Sequence, residues 1–200
     1  MRLFRHAALA VTLSLATAGA AAAQQQAAAA PATVTRSGVT LPTTTVVDGH
    51  TLTLNGMALR KKAIFKVYVA GFYLPAKNSN PDAIIAADQP RRMVLQFVRN
   101  VSKDQMCDAM NEGLANNTAN PSAELTAKFG QFCGMMAPVE KGQQFVFTYV
   151  PGQGTTVEVA KKKTGTIQGK DFADALFRSW IGPKPGPGEG FKQDILGAQS

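Results

Sequence analysis

Arg60 has the side chain in this sequence with the clearest potential for binding chemistry. It follows segment 54–56, where a glycine predicts a turn, and precedes residues 64–74, which are rich in Val, Tyr, Phe and Ile. An arginine brought into an apolar cleft holds a carboxylate, phenolate or enolate through its forked N–H donors. On composition alone, the simpler interpretation is that Arg60, Lys61 and Lys62 are all solvated.

Several other kinds of chemistry are excluded by the sequence. The chain has two histidines, His6 and His50, and two cysteines, Cys107 and Cys133. If His6 lies in a cleaved leader, neither a multi-histidine zinc site nor a Cys-x-x-Cys metal or redox site can be built. The sequence has no P-loop and no G-x-S-x-G motif, and His50 lies in a predicted tight turn, where a solvated histidine is the simpler interpretation. The basic residues alternate poorly with aromatic ones, so we expect no nucleic-acid partner.

The segments that must position Arg60 have the residue pattern of β-strands. Short runs of apolar, β-branched and aromatic residues, separated by Gly, Pro and Asn, predict seven strands. These strands are at residues 44–47, 51–54, 64–74, 92–98, 144–150, 155–159 and 164–167.

Two helices are predicted in the middle of the chain and two near its end. A capping box at Ser102 and Gln105 begins the first, and Asn120 with Pro121 begins the second. The others are at residues 172–181 and 191–196. The fold class is therefore α+β, with a large antiparallel sheet and a layer of helices on one face.

The first 23 residues are typical of a secretory signal peptide. Arg2 and Arg5 give a positive start, residues 7–18 are mostly apolar, and residues 21–23 are the small residues of a cleavage site. The apolar run is too short to span a membrane. The weaker alternative is the Ala-rich start of a mature helix. We therefore expect a periplasmic or secreted protein.

The remaining chain has the size and composition of one domain. Cleavage after residue 23 leaves 200 − 23 = 177 residues, and hydrophobic residues make up 45% of the whole chain. Residues 24–42 are low in complexity and predict a disordered lead-in, so the domain covers residues 43–200. No later segment has 18 apolar residues in a row, so we expect no transmembrane segment.

The two cysteines are predicted to form a disulfide bond. Cys107 lies near the start of the first central helix and Cys133 near the end of the second. A short link makes the two helices antiparallel, which brings these ends together, and an exported protein meets an oxidising compartment. The alternative is a pair of buried free thiols.

Residues 54–75, LNGMALRKKAIFKVYVAGFYLP, resemble the N-terminal signature of the chalcone isomerase superfamily. The matching positions are Gly56, Arg60, Phe65, Lys66, Gly71, Tyr73 and Leu74. Residues 172–182, FADALFRSWIG, resemble the C-terminal helix of the family. The resemblance covers residues 38–197 and is closest to the exported bacterial branch.

The resemblance implies an open-faced β-sandwich with a cleft for a small apolar or amphiphilic ligand. Plant enzymes of this superfamily cyclise a chalcone to a flavanone without a cofactor. Non-catalytic relatives bind fatty acids in the same cleft, with an arginine on the carboxylate. We therefore expect no cofactor, no metal and a monomer.

The resemblance also assigns site residues. Arg60 matches the arginine that holds the enolate, Asn111 the helix asparagine that contacts the phenol, and Ser179 the hydroxyl of the C-terminal helix. Tyr68 replaces a strand threonine and Asp104 replaces a tyrosine, both of which hold the catalytic water. Because the loss of one such donor costs roughly 100–1000-fold in rate, the cleft can persist without the activity.

Two functions follow from this comparison. The first is a protein that holds a fatty acid or phenolic ligand through Arg60, with Tyr68, Asp104, Asn111 and Ser179 as further ligand-binding residues. The alternative is an isomerase (intramolecular lyase) with Arg60, Tyr68, Asn111 and Ser179 as catalytic residues. A third and weaker interpretation is a structural partner of an envelope assembly, which a filled interior would favour.

Overall fold

The computed structural model describes residues 32–198. Within that range the chain forms nine strands and five helices. The strands are β1 (Thr33–Arg36), β2 (Val39–Pro42), β3 (Thr44–Val47), β4 (His50–Lys62), β5 (Phe65–Leu74), β6 (Arg91–Phe97), β7 (Gln144–Val150), β8 (Gly154–Val159) and β9 (Lys162–Ile167). The helices are α1 (Pro81–Ala86), α2 (Lys103–Asn117), α3 (Ala123–Met135), α4 (Lys170–Ile181) and α5 (Glu189–Ile195). None of the helices in this range is long and apolar enough to cross a membrane.

Strands β3 to β9 form one antiparallel sheet in which each strand pairs with the next along the chain. Alternate residues of each strand face opposite sides, so the sheet supports two apolar layers. The larger layer lies under the helices and is rich in phenylalanine. The smaller layer lies on the outer side, where Val39 and Leu41 of β2 cover part of the sheet. The α+β class with an antiparallel sheet and helices on one side is therefore confirmed.

The N-terminal part of the described chain differs from the expected lead-in. Residues 33–42 form a two-stranded hairpin, β1–β2, rather than a segment without regular structure. Its inward side chains, Val39 and Leu41, are buried, and the Tyr73 hydroxyl donates to the Pro42 carbonyl oxygen at 2.9 Å. The predicted signal peptide lies outside the described residues and stays a prediction.

Two of the helices begin close to where their capping residues predict. At α2 the Ser102 hydroxyl accepts from the Gln105 N–H and the Gln105 side chain accepts from the Ser102 N–H, so the capping box is confirmed. Helix α3 begins after Ser122, whose hydroxyl accepts from the Leu125 N–H, rather than after Asn120. Local side-chain signals therefore locate a helix start to within about one turn.

The predicted disulfide between Cys107 and Cys133 is present. Their Cα atoms are 5.3 Å apart, and the bond joins the first half of α2 to the last turn of α3. It closes a loop of 26 residues, a length for which the lost entropy of the unfolded chain amounts to about 3 kcal/mol. The bond therefore stabilises the outer part of the helical layer.

Arg91, at the start of β6, joins the sheet to α1 and α4. Its side chain is 0% exposed, and its Nη2 atom donates to Asp174 Oδ1 of α4 at 2.7 Å. Its Nη1 atom donates to the carbonyl oxygen of Ile84 in α1 at 3.2 Å. The guanidinium carbon lies 5.1 Å from the ring centres of both Tyr149 and Phe177. Arg91 thus binds three elements from a fully buried position.

We expect Asp174→Ala to destabilise the protein strongly, because it leaves the buried Arg91 guanidinium without an acid. Removal of one partner from a buried ion pair costs about 3 kcal/mol or more. Asp171→Ala is the matched control, since Asp171 pairs with Lys128 on the surface and its loss costs less than about 1 kcal/mol. Urea unfolding measures both free energies, and equal losses in the two variants would contradict this role for Arg91.

Candidate functional site

Arg60 and Tyr68 lie directly opposite each other on neighbouring strands. They are paired in the register of β4 and β5, and paired residues of an antiparallel sheet point to the same face. Ala58, two residues before Arg60, is buried in the layer under the helices, so both side chains lie on the helical side of the sheet. Arg60 therefore lies within β4 itself, rather than between a turn and a strand as expected.

The Arg60 guanidinium has no partner of its own within residues 32–198. The residue is half-buried, and its side chain makes no hydrogen bond and no ion pair there. Arg36, Arg91 and Arg92 each pair with a carboxylate. Because a partly buried cation gains free energy from an acid partner, Arg60 is suited to hold an anion supplied from outside the chain.

Tyr68 is held in a fixed position under the helices. Its hydroxyl oxygen accepts a hydrogen bond from Trp180 Nε1 of α4 at 3.0 Å. Its ring packs edge-on against Phe97 at 5.6 Å and Phe191 at 6.2 Å between ring centres. Burial raises the pKa of Tyr68 to about 12, although the Trp180 hydrogen bond and the charge of Arg60 both act to lower it. The phenol is therefore neutral near pH 7 and retains a proton that it can donate.

The end of α5 contacts β4 four residues before Arg60. The strand carries a bulge between Leu54 and Gly56, and a Cβ atom on Gly56 would lie 2.4 Å from the Asp194 carbonyl oxygen. Only a glycine allows this close approach. Asn55 secures the contact by donating to the carbonyl oxygens of Asn78 and Ile195, at 3.1 and 3.2 Å. The predicted turn at 54–56 is therefore wrong; it is a bulge at which β4 meets α5.

The other three predicted site residues lie apart from the Arg60–Tyr68 pair. Ser179 is 3% exposed on α4 and faces α2, where its hydroxyl oxygen would lie 2.3 Å from a Cβ atom on Gly113. Asn111 and Asp104 are both exposed on α2 and, among the described residues, make no hydrogen bond or ion pair. The structure thus brings together two of the five predicted residues.

A groove of about 430 Å³ lies elsewhere on the surface. It is lined by residues from β1, β4 and the end of α5, including Arg36, Met57 and Asp194. Arg36 Nη1 donates to the Met57 carbonyl oxygen at 2.7 Å and its Nη2 pairs with Asp194, so Arg36 already has an acid partner in this groove, which Lys77 also lines. None of the five predicted site residues lines it.

A family model described as chalcone isomerase-like matches residues 33–197. This chain belongs to the chalcone isomerase-like family. A search of curated proteins found no match. Family membership agrees with the resemblance carried by residues 54–75 and 172–182, whereas the exported bacterial branch stays a proposal.

The fold of this chalcone isomerase-like protein is also that of a solved plant protein. The crystal structure of a fatty-acid binding protein from Arabidopsis thaliana matches it with a TM-score of 0.67. The match covers 82% of this chain and 96% of the plant chain, at 16% sequence identity. At this identity the likeness establishes a shared fold.

Two residues at the site were missed by the sequence analysis. Trp180 lies within the predicted helix 172–181, four residues after the buried Leu176, so the helical period places it on the buried face of α4. No signal in the sequence indicates that Phe191, on a seven-residue helix, contacts Tyr68. Both contacts depend on how the helices lie on the sheet.

We expect the protein to lose stability as the pH rises from about 10 to about 12. The chain has three tyrosines, and burial is the main cause that raises the pKa of Tyr68, Tyr73 and Tyr149 to about 12. The unfolded chain loses these protons near pH 10, so the native state binds more protons than the unfolded state in this window. Below about pH 10 the tyrosines are neutral in both states, so their full contribution to the free energy of unfolding is present there.

The measurement is the near-ultraviolet absorbance of phenolate, recorded with urea unfolding at each pH. The native protein should show almost no phenolate at pH 10, at which the urea-unfolded chain is about half ionised. A tyrosine that titrates near pH 10 in the native protein would contradict this assignment. Tyr68→Phe should remove one third of the phenolate absorbance that the native protein gains above pH 10.

Proposed function

We propose that this chalcone isomerase-like protein is exported and holds a small amphiphilic anion, a fatty acid or a phenolic acid, through Arg60. The observation that carries the proposal is that Arg60, a half-buried residue, has no acid partner within residues 32–198. On the helical side of the sheet it is paired with Tyr68, whose ring contacts those of Phe97 and Phe191. The forked donors of arginine fit a carboxylate, and the rings fit an apolar tail.

The tail of such a ligand needs space that the side chains now occupy. The layer under the helices is filled by aromatic rings in contact, such as Phe97 with Phe145 and Phe147 with Trp180. Phe191 is the ring beside Tyr68 with the weaker support, because it lies near the start of a seven-residue helix that follows a link rich in glycine and proline. The contacts that hold this helix to β4 are at its other end. We therefore propose that the tail enters where Phe191 moves away from Tyr68.

Two further observations support this function. The plant protein that shares the fold is described as a fatty-acid binding protein. The disulfide between Cys107 and Cys133 supports export, since such bonds persist in oxidising compartments. The filled interior also suits the interpretation as a structural partner of an envelope assembly, which predicts that no ligand changes the melting temperature.

We expect laurate to raise the melting temperature by roughly 5–10 °C at a concentration about 100 times its Kd. Arg60→Ala should abolish the shift, because the carboxylate loses its partner. Arg60→Lys should retain part of it, since the charge stays but the fork is lost. The measurement is thermal unfolding followed by circular dichroism.

Two controls make the result specific to the carboxylate. Lauryl alcohol has the same tail without the acid and should give a much smaller shift. Lys77→Ala removes a charge from an exposed site next to the far end of β5 and should leave the laurate shift unchanged. Equal shifts with acid and alcohol, or a shift that survives in Arg60→Ala, would refute the proposal.

Isomerisation is a second candidate function, and the Arg60–Tyr68 pair favours it. A neutral phenol beside a guanidinium offers two donors to an enolate oxygen. However, Asn111 and Asp104 are exposed on α2 and Ser179 faces α2, so these three do not surround a substrate at that pair. We therefore rank binding above catalysis.

We expect a hydroxylated chalcone to cyclise in the presence of the protein no faster than it does spontaneously. The loss of its visible absorbance measures the rate. A rate well above the spontaneous one that falls in both Arg60→Ala and Tyr68→Phe would instead make the protein an isomerase that uses this pair.

A further inference from the structure

The hairpin that joins β4 to β5 presents two large apolar side chains to solvent. Ile64 is 86% exposed and Phe65 is 55% exposed. Ile64 lies in the turn, and Phe65 next to it is the first residue of β5. Among the described residues, the other large apolar side chains that are exposed, Val34 and Val46, lie in β1 and β3. Exposure of adjacent bulky apolar residues at a loop tip is costly in water and indicates a binding role.

Basic side chains surround this tip. Lys61, Lys62 and Lys66 are exposed beside it, and within residues 32–198 none of them forms an ion pair. The guanidinium carbon of Arg99 lies 4.8 Å from the ring centre of Phe65. The tip therefore combines an apolar projection with unneutralised positive charge.

The sheet topology adds further charge at the same end. In this antiparallel sheet the β6–β7 and β8–β9 connections lie at the end where β4 turns into β5. These connections present Lys141 and the run 161–163, which is three lysines. Together with Lys61, Lys62, Lys66 and Arg99, this makes eight basic residues. The acidic residue next to Lys141 is Glu140, and the other acidic residues of the β6–β7 connection, Asp104, Asp108, Glu112 and Glu124, lie on helices α2 and α3. We call the set of eight basic residues the basic end.

We propose that the basic end docks onto an anionic lipid surface, with Ile64 and Phe65 inserted among the headgroups. An apolar projection flanked by lysines has the two signals that stable attachment to a bilayer surface needs, which are burial of apolar area and attraction to anionic lipid. A soluble polyanion would use the charges but leave Ile64 exposed, so the apolar pair favours lipid. This docking goes beyond the proposed function and does not depend on a ligand at Arg60.

The test is co-sedimentation with sucrose-loaded vesicles of phosphatidylcholine, with and without phosphatidylglycerol. The protein is used in the form that the producing host releases, and its N-terminus is identified by mass spectrometry. We expect binding that requires phosphatidylglycerol and weakens as salt is added. Arg60→Lys keeps the charge but weakens the laurate shift, and it should bind the vesicles as the wild type does, which separates this proposal from the ligand site.

Two pairs of matched double variants test the apolar and the electrostatic contributions to vesicle binding. Ile64→Ser with Phe65→Ser should weaken vesicle binding roughly tenfold or more, whereas Val34→Ser with Val46→Ser should not change it. Lys61→Gln with Lys62→Gln should weaken it by roughly fivefold for each lysine. Lys77→Gln with Lys184→Gln has the same change in net charge at other exposed positions and should have a smaller effect.

Several results would overturn the proposal. One is the absence of binding to vesicles that contain phosphatidylglycerol. Another is equal sensitivity of binding to the variants at the basic end and to their controls, which would show attraction through net charge alone. A third is binding that the Ile64 and Phe65 substitutions leave unchanged and that heparin reproduces, which would identify a soluble polyanion as the partner. Thermal unfolding of each variant confirms that it is folded.

Discussion

The ion pair between Arg91 and Asp174 determines where α4 lies on the sheet. Arg91 is in β6, the central strand of seven, and is completely buried. A guanidinium in that position needs an acid, so α4 must present Asp174 there. Trp180 lies six residues later, about 9 Å along the helix, and this spacing brings its indole N–H to the Tyr68 hydroxyl. The ion pair that positions α4 in the core therefore also positions Trp180 at the candidate site.

The rest of the helical layer depends on α4. Helix α2 packs against it where Gly113 lies on Ser179, with no room for a larger residue. The disulfide between Cys107 and Cys133 then joins α3 to α2. Ser179 therefore packs between the two helices, and its buried hydroxyl makes no hydrogen bond among the described residues. Its role as a site residue stays a prediction.

Local signals in the sequence predicted the features that neighbouring residues determine. Strands β5 to β9, the capping box at Ser102 and the disulfide all follow from spacing and residue type. Arg60 was selected through the family resemblance, and its role stays a prediction. The continuity of β4 through Asn55 was not predictable, because the bulge is stabilised by α5, which comes about 140 residues later in the chain. The hairpin at residues 33–42 was missed for a similar reason, since Val39 and Leu41 are buried only by the completed sheet. The placement of Asn111 depends on the rotation of α2, which its sequence pattern determines only approximately.

The hydrogen bond between Trp180 and Tyr68 gives the protein an optical reporter at its candidate site. Trp180 is the single tryptophan of the chain and is 1% exposed. Its indole N–H is bound to the residue that stands opposite Arg60. Any rearrangement that opens the space around that arginine changes the polarity around one indole, and no second indole masks the change. The emission of the unlabelled protein therefore follows the opening of the sheet–helix interface directly.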